Sequence, residues 1–236
     1  MMSRRLAVAM LLGTPLGLAG CSGPLSTLDP AGPSAATAAL LWWGMFAAFS
    51  LVWLAVVGLW LYAMFHQAAS DDPARARRIE KRWILGGGVA LPVVSITVLL
   101  AYGIPAGHSM LPLPLSEGES LEIHVTAHQW HWEVVYPESG IALDDELHIP
   151  AGKPVDVHLR SADVIHSFWV PRLGGKLDAV PGRTNVQRLQ ADEPGSYRGQ
   201  CAEYCGVGHA HMKFTVTAHT PEDFEAWKRQ ETQGDD

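Results

Sequence analysis

Two long uncharged runs fill most of the first half of the chain. Residues 31–65 and 83–107 contain no Asp, Glu, Lys or Arg. Each run is long enough to supply the roughly 20 apolar residues that span a bilayer as a helix. The pattern therefore predicts a transmembrane helical hairpin over residues 39–107, with helices at about 40–65 and 83–105. Pro92 and the Gly86-Gly87-Gly88 run predict a kink in the second helix, which neighbouring helices can tolerate in lipid.

The polar segment between the two runs indicates the orientation of the hairpin. It carries the densest basic cluster of the chain, which consists of Arg75, Arg77, Arg78, Lys81 and Arg82. Basic residues next to membrane helices are concentrated on the cytoplasmic side. We therefore expect this segment in the cytoplasm and both chain termini on the outer side.

The first residues have the pattern of an exported lipoprotein. Arg4 and Arg5 precede a short apolar stretch, which is typical of a signal peptide. The stretch ends in Leu-Ala-Gly-Cys, with the cysteine at Cys21, and this resembles a bacterial lipobox. We predict a signal peptide at 1–20, lipidation at Cys21 and a periplasmic linker at 21–38; the alternative is an unmodified cysteine in an uncleaved signal sequence. The expected location is the bacterial inner membrane, multi-pass, with the C-terminal domain in the periplasm.

From about Pro105 onward, the sequence pattern changes to short runs of β-branched residues separated by Gly and Pro. This pattern is typical of an all-β domain of sandwich size, which we assign to residues 108–236. Three strands and a closing helix are predicted at 154–159, 184–189, 213–217 and 222–229.

One further strand shows a change of phase. Apolar and polar residues alternate over 121–128, and the apolar positions then move to Trp130, Trp132 and Val134. A single strand with a β-bulge at His128-Gln129 would produce such a shift. This interpretation places both tryptophans on one face of the strand.

The predicted outer domain is acidic. From Pro105 onward there are 20 acidic and 10 basic side chains. This balance disfavours nucleic acid and favours a basic partner attracted by charge. The alternative is the ordinary solubility of an exported domain.

A run of metal-binding residue types stands at 201–212, with the sequence CAEYCGVGHAHM. Cys205, His209 and Met212 have the spacing of a loop that closes a blue-copper site, to which a second histidine comes from elsewhere. Cys201 adds a second thiolate, and two adjacent thiolates could bridge two copper ions. His166, within DVIHSFWV, is the candidate for the missing histidine.

A disulfide and a structural zinc site are the two alternative interpretations of this run. A Cys201–Cys205 disulfide suits an oxidising compartment but leaves the His and Met spacing to chance. Structural zinc takes Cys and His ligands, and a methionine does not belong in such a site.

These motifs resemble subunit II of the haem-copper respiratory oxidases, of the cytochrome c oxidase type that has a binuclear copper centre, CuA. The resemblance is carried by the two helices and by four motifs, namely Gln129-Trp130-His131-Trp132, Asp163-Val164-Ile165-His166, Asp178-Ala179-Val180-Pro181-Gly182-Arg183, and Cys-x-Glu-x-Cys-Gly-x-x-His-x-x-Met. It implies a membrane-anchored protein in which two transmembrane helices precede a cupredoxin-like Greek-key sandwich.

The resemblance also implies a set of ligands. The copper ligands would be the side chains of His166, Cys201, Cys205, His209 and Met212, with the backbone carbonyl of Glu203. The carboxylate of Glu203 would contribute to a magnesium or manganese site shared with subunit I. His211 stands where the family usually has an aromatic residue, and we interpret it as a surface histidine.

The implied function is electron transfer. CuA would accept electrons from cytochrome c, entering at Trp130, and pass them to the haem of subunit I, where oxygen is reduced to water and protons are translocated. Trp132 would serve packing, subunit III would be a further partner, and this chain would supply no catalytic residue. An acidic docking rim is predicted from Asp163, Glu138, Asp144, Asp145 and Glu146.

Two rival functions remain at this point. A quinol oxidase subunit II would have the same architecture and lipobox, but it would lack copper and both cysteines. A membrane-anchored copper-binding or copper-delivery protein would work alone. The two helices and the segment that resembles a subunit I contact, residues 178–183, disfavour the second rival.

Overall fold

The structure is a computed structural model that describes residues 21–66, 72–114 and 120–234. The predicted signal peptide lies outside these residues. Residues 40–109 form one compact unit, and the residues on either side of them in sequence form a second one.

Two helices are long and apolar enough to cross a membrane, as predicted. Helix α1 spans Pro33–Phe65. The second helix runs over Pro73–Ser109 and consists of α2 (Pro73–Trp83), a π-helical segment (Ile84–Ala90) and α3 (Leu91–Ser109).

The second helix begins earlier than predicted, because the basic segment is itself helical. The carboxylate of Asp72 accepts a hydrogen bond from the Ala74 N–H at 2.9 Å, and Pro73 occupies a position in the first turn where its missing N–H costs nothing. The glycine run lies inside the π-helical segment, directly before Pro92. A wider π turn relieves the clash between a proline ring and the preceding turn.

Residues 21–38, which were predicted as a linker, are ordered against the β-domain. The Arg172 guanidinium bonds both the carbonyl and the carboxylate of Asp29, at 2.8 and 3.3 Å. The Ala31 N–H donates to the Arg172 carbonyl at 2.7 Å. A side chain at Gly32 would overlap the Gln190 carbonyl, so this close approach requires glycine. Helix α1 therefore starts at Pro33, directly after a docked segment, and not near residue 40.

The second unit is a sandwich of two five-stranded sheets, which confirms the predicted all-β class. The strands are β1 (Leu121–His128), β2 (His131–Val135), β3 (Ala142–Asp144), β4 (Glu146–Pro150), β5 (Val155–Ser161), β6 (His166–Trp169), β7 (Leu177–Ala179), β8 (Asn185–Leu189), β9 (Gly195–Cys201) and β10 (Lys213–His219). Sheet A has the order β3-β2-β1-β5-β8, and sheet B has the order β4-β10-β9-β6-β7. The β1–β5 and β4–β10 pairs are parallel, and the other pairs are antiparallel.

The core lies between the two sheets and is built around one tryptophan. Trp132 is fully buried, and its ring makes edge contacts with Phe168 and Phe214 at centroid distances of 5.5 Å. The same ring lies 6.0 Å from the imidazole of His166. The packing prediction for Trp132 therefore agrees with its position, and this core also supports one of the predicted metal ligands.

The predicted bulged strand was wrong. Strands β1 and β2 form an antiparallel hairpin in which His128 opposes His131, and Gln129 and Trp130 form its two-residue turn. The chain reverses at the change of phase, so Trp130 lies in the turn and does not share a strand face with Trp132. A reversal and a bulge shift the apolar positions in the same way, which explains the error.

A C-terminal helix, α4 (Pro221–Gly234), closes the domain. The Thr220 hydroxyl accepts from the Asp223 N–H at 3.1 Å and caps its first turn. Trp227 stacks on the His148 ring with centroids 4.3 Å apart. The helix thereby covers β4 at the edge of sheet B.

Tyr136 supports the same edge, because its hydroxyl accepts from the His148 N–H at 2.6 Å and donates to the His148 carbonyl at 2.8 Å. We expect Tyr136→Phe to lower the free energy of unfolding by about 1–3 kcal/mol, since both backbone groups lose their partner. Denaturant unfolding of the full chain in detergent, followed by circular dichroism, measures the change. Tyr204→Phe is the matched control, because Tyr204 is exposed; equal stability of the two variants would contradict this role of Tyr136.

Candidate metal centre

The cysteine-rich loop connects two neighbouring strands of sheet B. Strand β9 ends at Cys201, and β10 begins at Lys213 after a short 3₁₀ turn at His209–His211. The Cys201 N–H donates to the Met212 carbonyl at 3.0 Å and closes the base of the loop. Strand β6 lies on the other side of β9, with Phe168 opposite Cys201. This pairing brings His166, at the start of β6, against the loop.

The two loop cysteines face each other as free thiols. Their sulfur atoms are 3.8 Å apart, and both side chains are buried. A disulfide would require about 2.0 Å between the sulfurs. The structure therefore presents Cys201 and Cys205 as two adjacent, unbonded sulfur donors.

Four further donors surround the sulfur pair, two in contact with each sulfur. The Cys201 sulfur lies 3.8 Å from His166 Nδ1 and 3.2 Å from the Glu203 carbonyl oxygen. The Cys205 sulfur lies 3.7 Å from His209 Nδ1 and 3.8 Å from Met212 Sδ. His166 Nδ1 and Met212 Sδ are themselves 3.2 Å apart. All six residues predicted as copper ligands are thus brought together by the fold.

The spacing and the chemistry of these donors fit metal binding. Bonds of about 2.0–2.3 Å in tetrahedral geometry separate neighbouring donors by roughly 3.3–3.8 Å, and the observed separations are 3.2 to 3.8 Å. Two thiols, a thioether and two imidazoles favour soft transition metals such as copper. His166, Cys201 and Cys205 alone form a buried group able to hold a metal ion.

Burial disfavours ionisation of the Cys205 thiol. Desolvation, followed by the neighbouring Cys201, raises the pKa of the Cys205 thiol to about 12. A thiolate here is therefore unfavourable beside a second thiol in a site closed to water. A bound metal ion would displace the protons and supply the missing positive charge.

Asp163 orients His166, one of the two histidines of the site. Its Oδ1 lies 2.8 Å from His166 Nε2, and the carboxylate also accepts from the Gln129 and Val164 N–H groups, each at 2.6 Å. Burial raises the pKa of Asp163, but these hydrogen bonds outweigh it, so the pKa lies below its ordinary value. A charged carboxylate on Nε2 leaves Nδ1 free to face the sulfurs.

Trp130 covers the loop from outside. Its indole N–H donates to the Cys205 carbonyl at 3.3 Å, and the Gln129 side-chain amide donates to the same oxygen at 2.7 Å. Side chains at Gly206 or Gly208 would contact or overlap the indole ring. Trp130 is nevertheless 39% exposed. The indole thus joins the protein surface to a residue that carries one of the two sulfurs.

The remaining predicted residues lie at the edge of the site. The Glu203 carboxylate lies 3.6 Å from Lys176 Nζ, a partner that the sequence did not indicate. His211 is exposed, as interpreted from the sequence.

The predicted acidic rim is not one continuous surface. Asp163 lies beside Gln129, at the Trp130 end of the sandwich. Strand β2 runs away from that turn, so Glu138 lies at its other end, where it lines a groove with Lys153 and α4.

The chain is similar to known proteins. Residues 137–219 match the protein family described as cytochrome C oxidase subunit II, periplasmic domain. The chain is 36% identical to cytochrome c oxidase subunit 2 of Alkalihalophilus pseudofirmus over 224 residues, which cover 90% of this chain and 64% of that protein. It is 32% identical to quinol oxidase subunit 2 of Bacillus cereus (strain ATCC 14579) over 232 residues, which cover 96% of this chain and 79% of that protein.

A solved structure is also similar. The periplasmic domain of subunit II of cytochrome oxidase of Bradyrhizobium japonicum aligns with a TM-score of 0.48 and 30% sequence identity, covering 52% of this chain and 98% of that chain.

Gly208 tests how Trp130 is held. We expect Gly208→Ala to displace the indole, since the new methyl group would overlap the ring, and to destabilise the domain by about 1–3 kcal/mol, as overpacking does. The indole N–H resonance of Trp130, assigned by its loss in Trp130→Phe, reports the displacement by NMR. Gly175→Ala is the control, because a side chain there meets open space. An unshifted Trp130 resonance in Gly208→Ala would show that the indole is not fixed by this contact.

Proposed function

This chain belongs to the cytochrome c oxidase subunit II family, and we propose that it is the electron-transfer subunit of a respiratory terminal oxidase. It accepts electrons from cytochrome c at a binuclear CuA centre and passes them to the haem of subunit I. Oxygen is reduced to water there, coupled to proton translocation. The observation that carries this proposal is the set of six donors, which consists of two buried free thiols and the four donors around them.

The arrangement of the donors supports two copper ions over one. Each sulfur has two other donors beside it, so neither thiol is surplus: His166 and Glu203 flank Cys201, and His209 and Met212 flank Cys205. A single four-coordinate ion would use four of the six donors and leave two without a role. When bound, the copper pair supplies a one-electron redox couple.

The chain itself keeps the donor atoms fixed. His166, Cys201 and Met212 are buried and belong to, or directly adjoin, strands of sheet B. The sheet hydrogen bonds and the Asp163–His166 contact restrict movement of these side chains. A rigid site closed to water changes little between oxidation states, which favours rapid electron transfer.

We assign the entry of electrons to Trp130. Its ring is exposed on one side and bonds the carbonyl of Cys205 on the other. Tyr204 and Val207 lie on the loop that carries Cys205. They are also exposed and provide apolar surface at this end of the domain. The acidic domain would attract a basic cytochrome by charge, and this apolar surface would contact it at close range.

In this proposal, electrons leave the copper site toward subunit I. The carboxylate of Glu203 would contribute to a magnesium or manganese site shared with that subunit, and residues 178–183 would contact it; subunit III is a further proposed partner. Glu203 supports this role because its carbonyl faces Cys201 and its carboxylate is half-exposed. Lys176 would then leave its present ion pair when the magnesium or manganese ion binds.

Location and processing follow the same proposal. Helix α1 and the helix over Pro73–Ser109 anchor the chain in the bacterial inner membrane, with the β-domain in the periplasm. Residues 1–20 would be removed as a signal peptide and Cys21 lipidated. None of the chain's residues acts in oxygen chemistry.

A quinol oxidase subunit is the second candidate, because a relative with that name aligns over most of its length. Such a subunit would have no copper and no cysteine pair. The presence of Cys201 and Cys205 within a complete donor set favours the cytochrome c oxidase type.

Copper content tests the centre directly. We expect the purified full chain to bind two copper ions and to show a delocalised two-copper signal by visible and EPR spectroscopy. Cys201→Ser and Cys205→Ser should abolish that signal, since each removes one of the two adjacent sulfur donors that would hold the copper. Cys21→Ser is the matched control and should retain it. A copper-free protein, one blue copper per chain, or a Cys201–Cys205 disulfide in the working enzyme would refute the proposal.

The entry role of Trp130 predicts a specific kinetic loss. In the oxidase complex, Trp130→Phe should slow electron uptake from cytochrome c, because it removes the indole contact that joins the protein surface to the Cys205 carbonyl. The copper spectrum should not change. Trp227→Phe is the control, because Trp227 lies on α4 and packs against His148 of β4 and against Phe224, away from the loop. An unaltered rate of uptake in Trp130→Phe would place the entry elsewhere.

A further inference from the structure

A second group of metal-ligand side chains lies on the outer face of sheet A. Strand β1 supplies Glu122 and His124, two residues apart and therefore on one face. Strand β5 supplies His158, which is the direct cross-strand neighbour of His124 in the parallel pair. None of these residues takes part in the metal centre described above.

The three side chains converge on one point. Glu122 Oε1 lies 2.7 Å from His124 Nε2 and 3.8 Å from His158 Nε2. One ligand atom from each residue lies within 4.8 Å of the others. Among the described residues, only this group and the buried sulfur site bring three such atoms so close together.

The surroundings favour this convergence. Val135 lies beside His124 on β2, and Val186 lies beside His158 on β8, so the two imidazoles stand between apolar side chains in one row across the sheet. The nearby carboxylate of Asp156 is held by two hydrogen bonds from Arg188, each 2.7 Å long. Glu122 is therefore the carboxylate available to the two histidines.

We propose that Glu122, His124 and His158 form a second metal site, which binds a divalent transition-metal ion such as Zn²⁺. Two imidazoles and a carboxylate are ligands of zinc, at bond lengths of about 2.0–2.2 Å. Tetrahedral coordination at those lengths separates the donors by roughly 3.3–3.5 Å. The two observed separations lie on either side of that value, so small rotations of exposed side chains complete the geometry.

This site differs in chemistry from the sulfur site. It has no sulfur donor, so it does not favour Cu(I), and its side chains are 53%, 48% and 29% exposed for Glu122, His124 and His158. Three protein ligands leave a coordination position open to water or to a partner's side chain. The bound ion would also connect β1 to β5, at the middle of sheet A.

A neighbouring trio on the same face provides a matched control. His128 and His131 stack with ring centroids 4.7 Å apart, and His128 Nε2 lies 3.6 Å from Glu133 Oε2. These residues are of the same types, but they do not form a group whose ligand atoms all lie within 4.8 Å. Substitutions in this trio therefore distinguish a specific site at Glu122, His124 and His158 from the general affinity of surface histidines for metals.

The experiment uses Zn²⁺ and the full chain in detergent, without a histidine tag, in which Cys201→Ser and Cys205→Ser have removed the two thiols of the proposed copper site. Calorimetry or equilibrium dialysis should show one Zn²⁺ bound per chain. His158→Ala should weaken binding by more than about tenfold, since even loss of residues that only support ligands costs 10- to 100-fold. His128→Ala should leave the affinity unchanged. Thermal unfolding with a chelator present checks that each variant is folded.

Three results would overturn the site: no Zn²⁺ bound, binding that survives both His124→Ala and His158→Ala, or equal loss in His128→Ala. Because this background lacks the two thiols on which the copper proposal depends, such a result would leave the copper proposal intact. Conversely, copper-free protein that still binds Zn²⁺ at this site would refute only the copper proposal. In copper-loaded protein, Zn²⁺ should bind without changing the visible spectrum.

Discussion

The candidate metal centre depends on the burial of two thiols side by side. The sulfur atoms of Cys201 and Cys205 are 3.8 Å apart, and both side chains are buried. Two thiolates at that distance repel each other and have no solvent to stabilise them. They can be ionised together only with positive charge between or beside them. The raised pKa of the Cys205 thiol expresses this constraint, and the converging His, Met and carbonyl donors are what a soft cation needs to complete its coordination.

The sandwich provides a rigid frame for this unfavourable arrangement. Cys201 ends β9, Met212 precedes β10, and a backbone hydrogen bond between them fixes the width of the loop. His166 comes from β6 on the other side of β9, and the buried ring of Trp132 packs beside it. The donors are thus held by strand pairing and core packing more than by one another. A loop without this frame would bring the two sulfurs together only in a fraction of its conformations.

Sequence patterns predicted the parts of this structure that depend on local order. The two apolar runs, the strands predicted at 154–159, 184–189 and 213–217 and the spacing from Cys201 to Met212 are of this kind. The turn at Gln129-Trp130 was misread because a reversal and a bulge give the same change of phase. Asp163 and His166 lie within one sequence motif. The role of their contact, however, depends on His166 Nδ1 facing the Cys201 sulfur, which only the structure shows. The pairing of His124 with His158 was beyond sequence reasoning, since it requires two strands 34 residues apart to lie side by side in parallel.

The two groups of ligands differ in donor chemistry and in solvent exposure, and they therefore suit different metal ions. The sulfur site is buried, rich in soft donors and costly to ionise without a cation, so only a tightly bound soft ion stabilises it. The Glu122 group is exposed and already solvated, so a borderline ion there replaces water at little cost and can leave again. Sheet B supplies the strands of the first site and sheet A those of the second. An ion bound on the outer face of sheet A therefore need not disturb the sulfur ligands, because the core between the sheets separates the two groups.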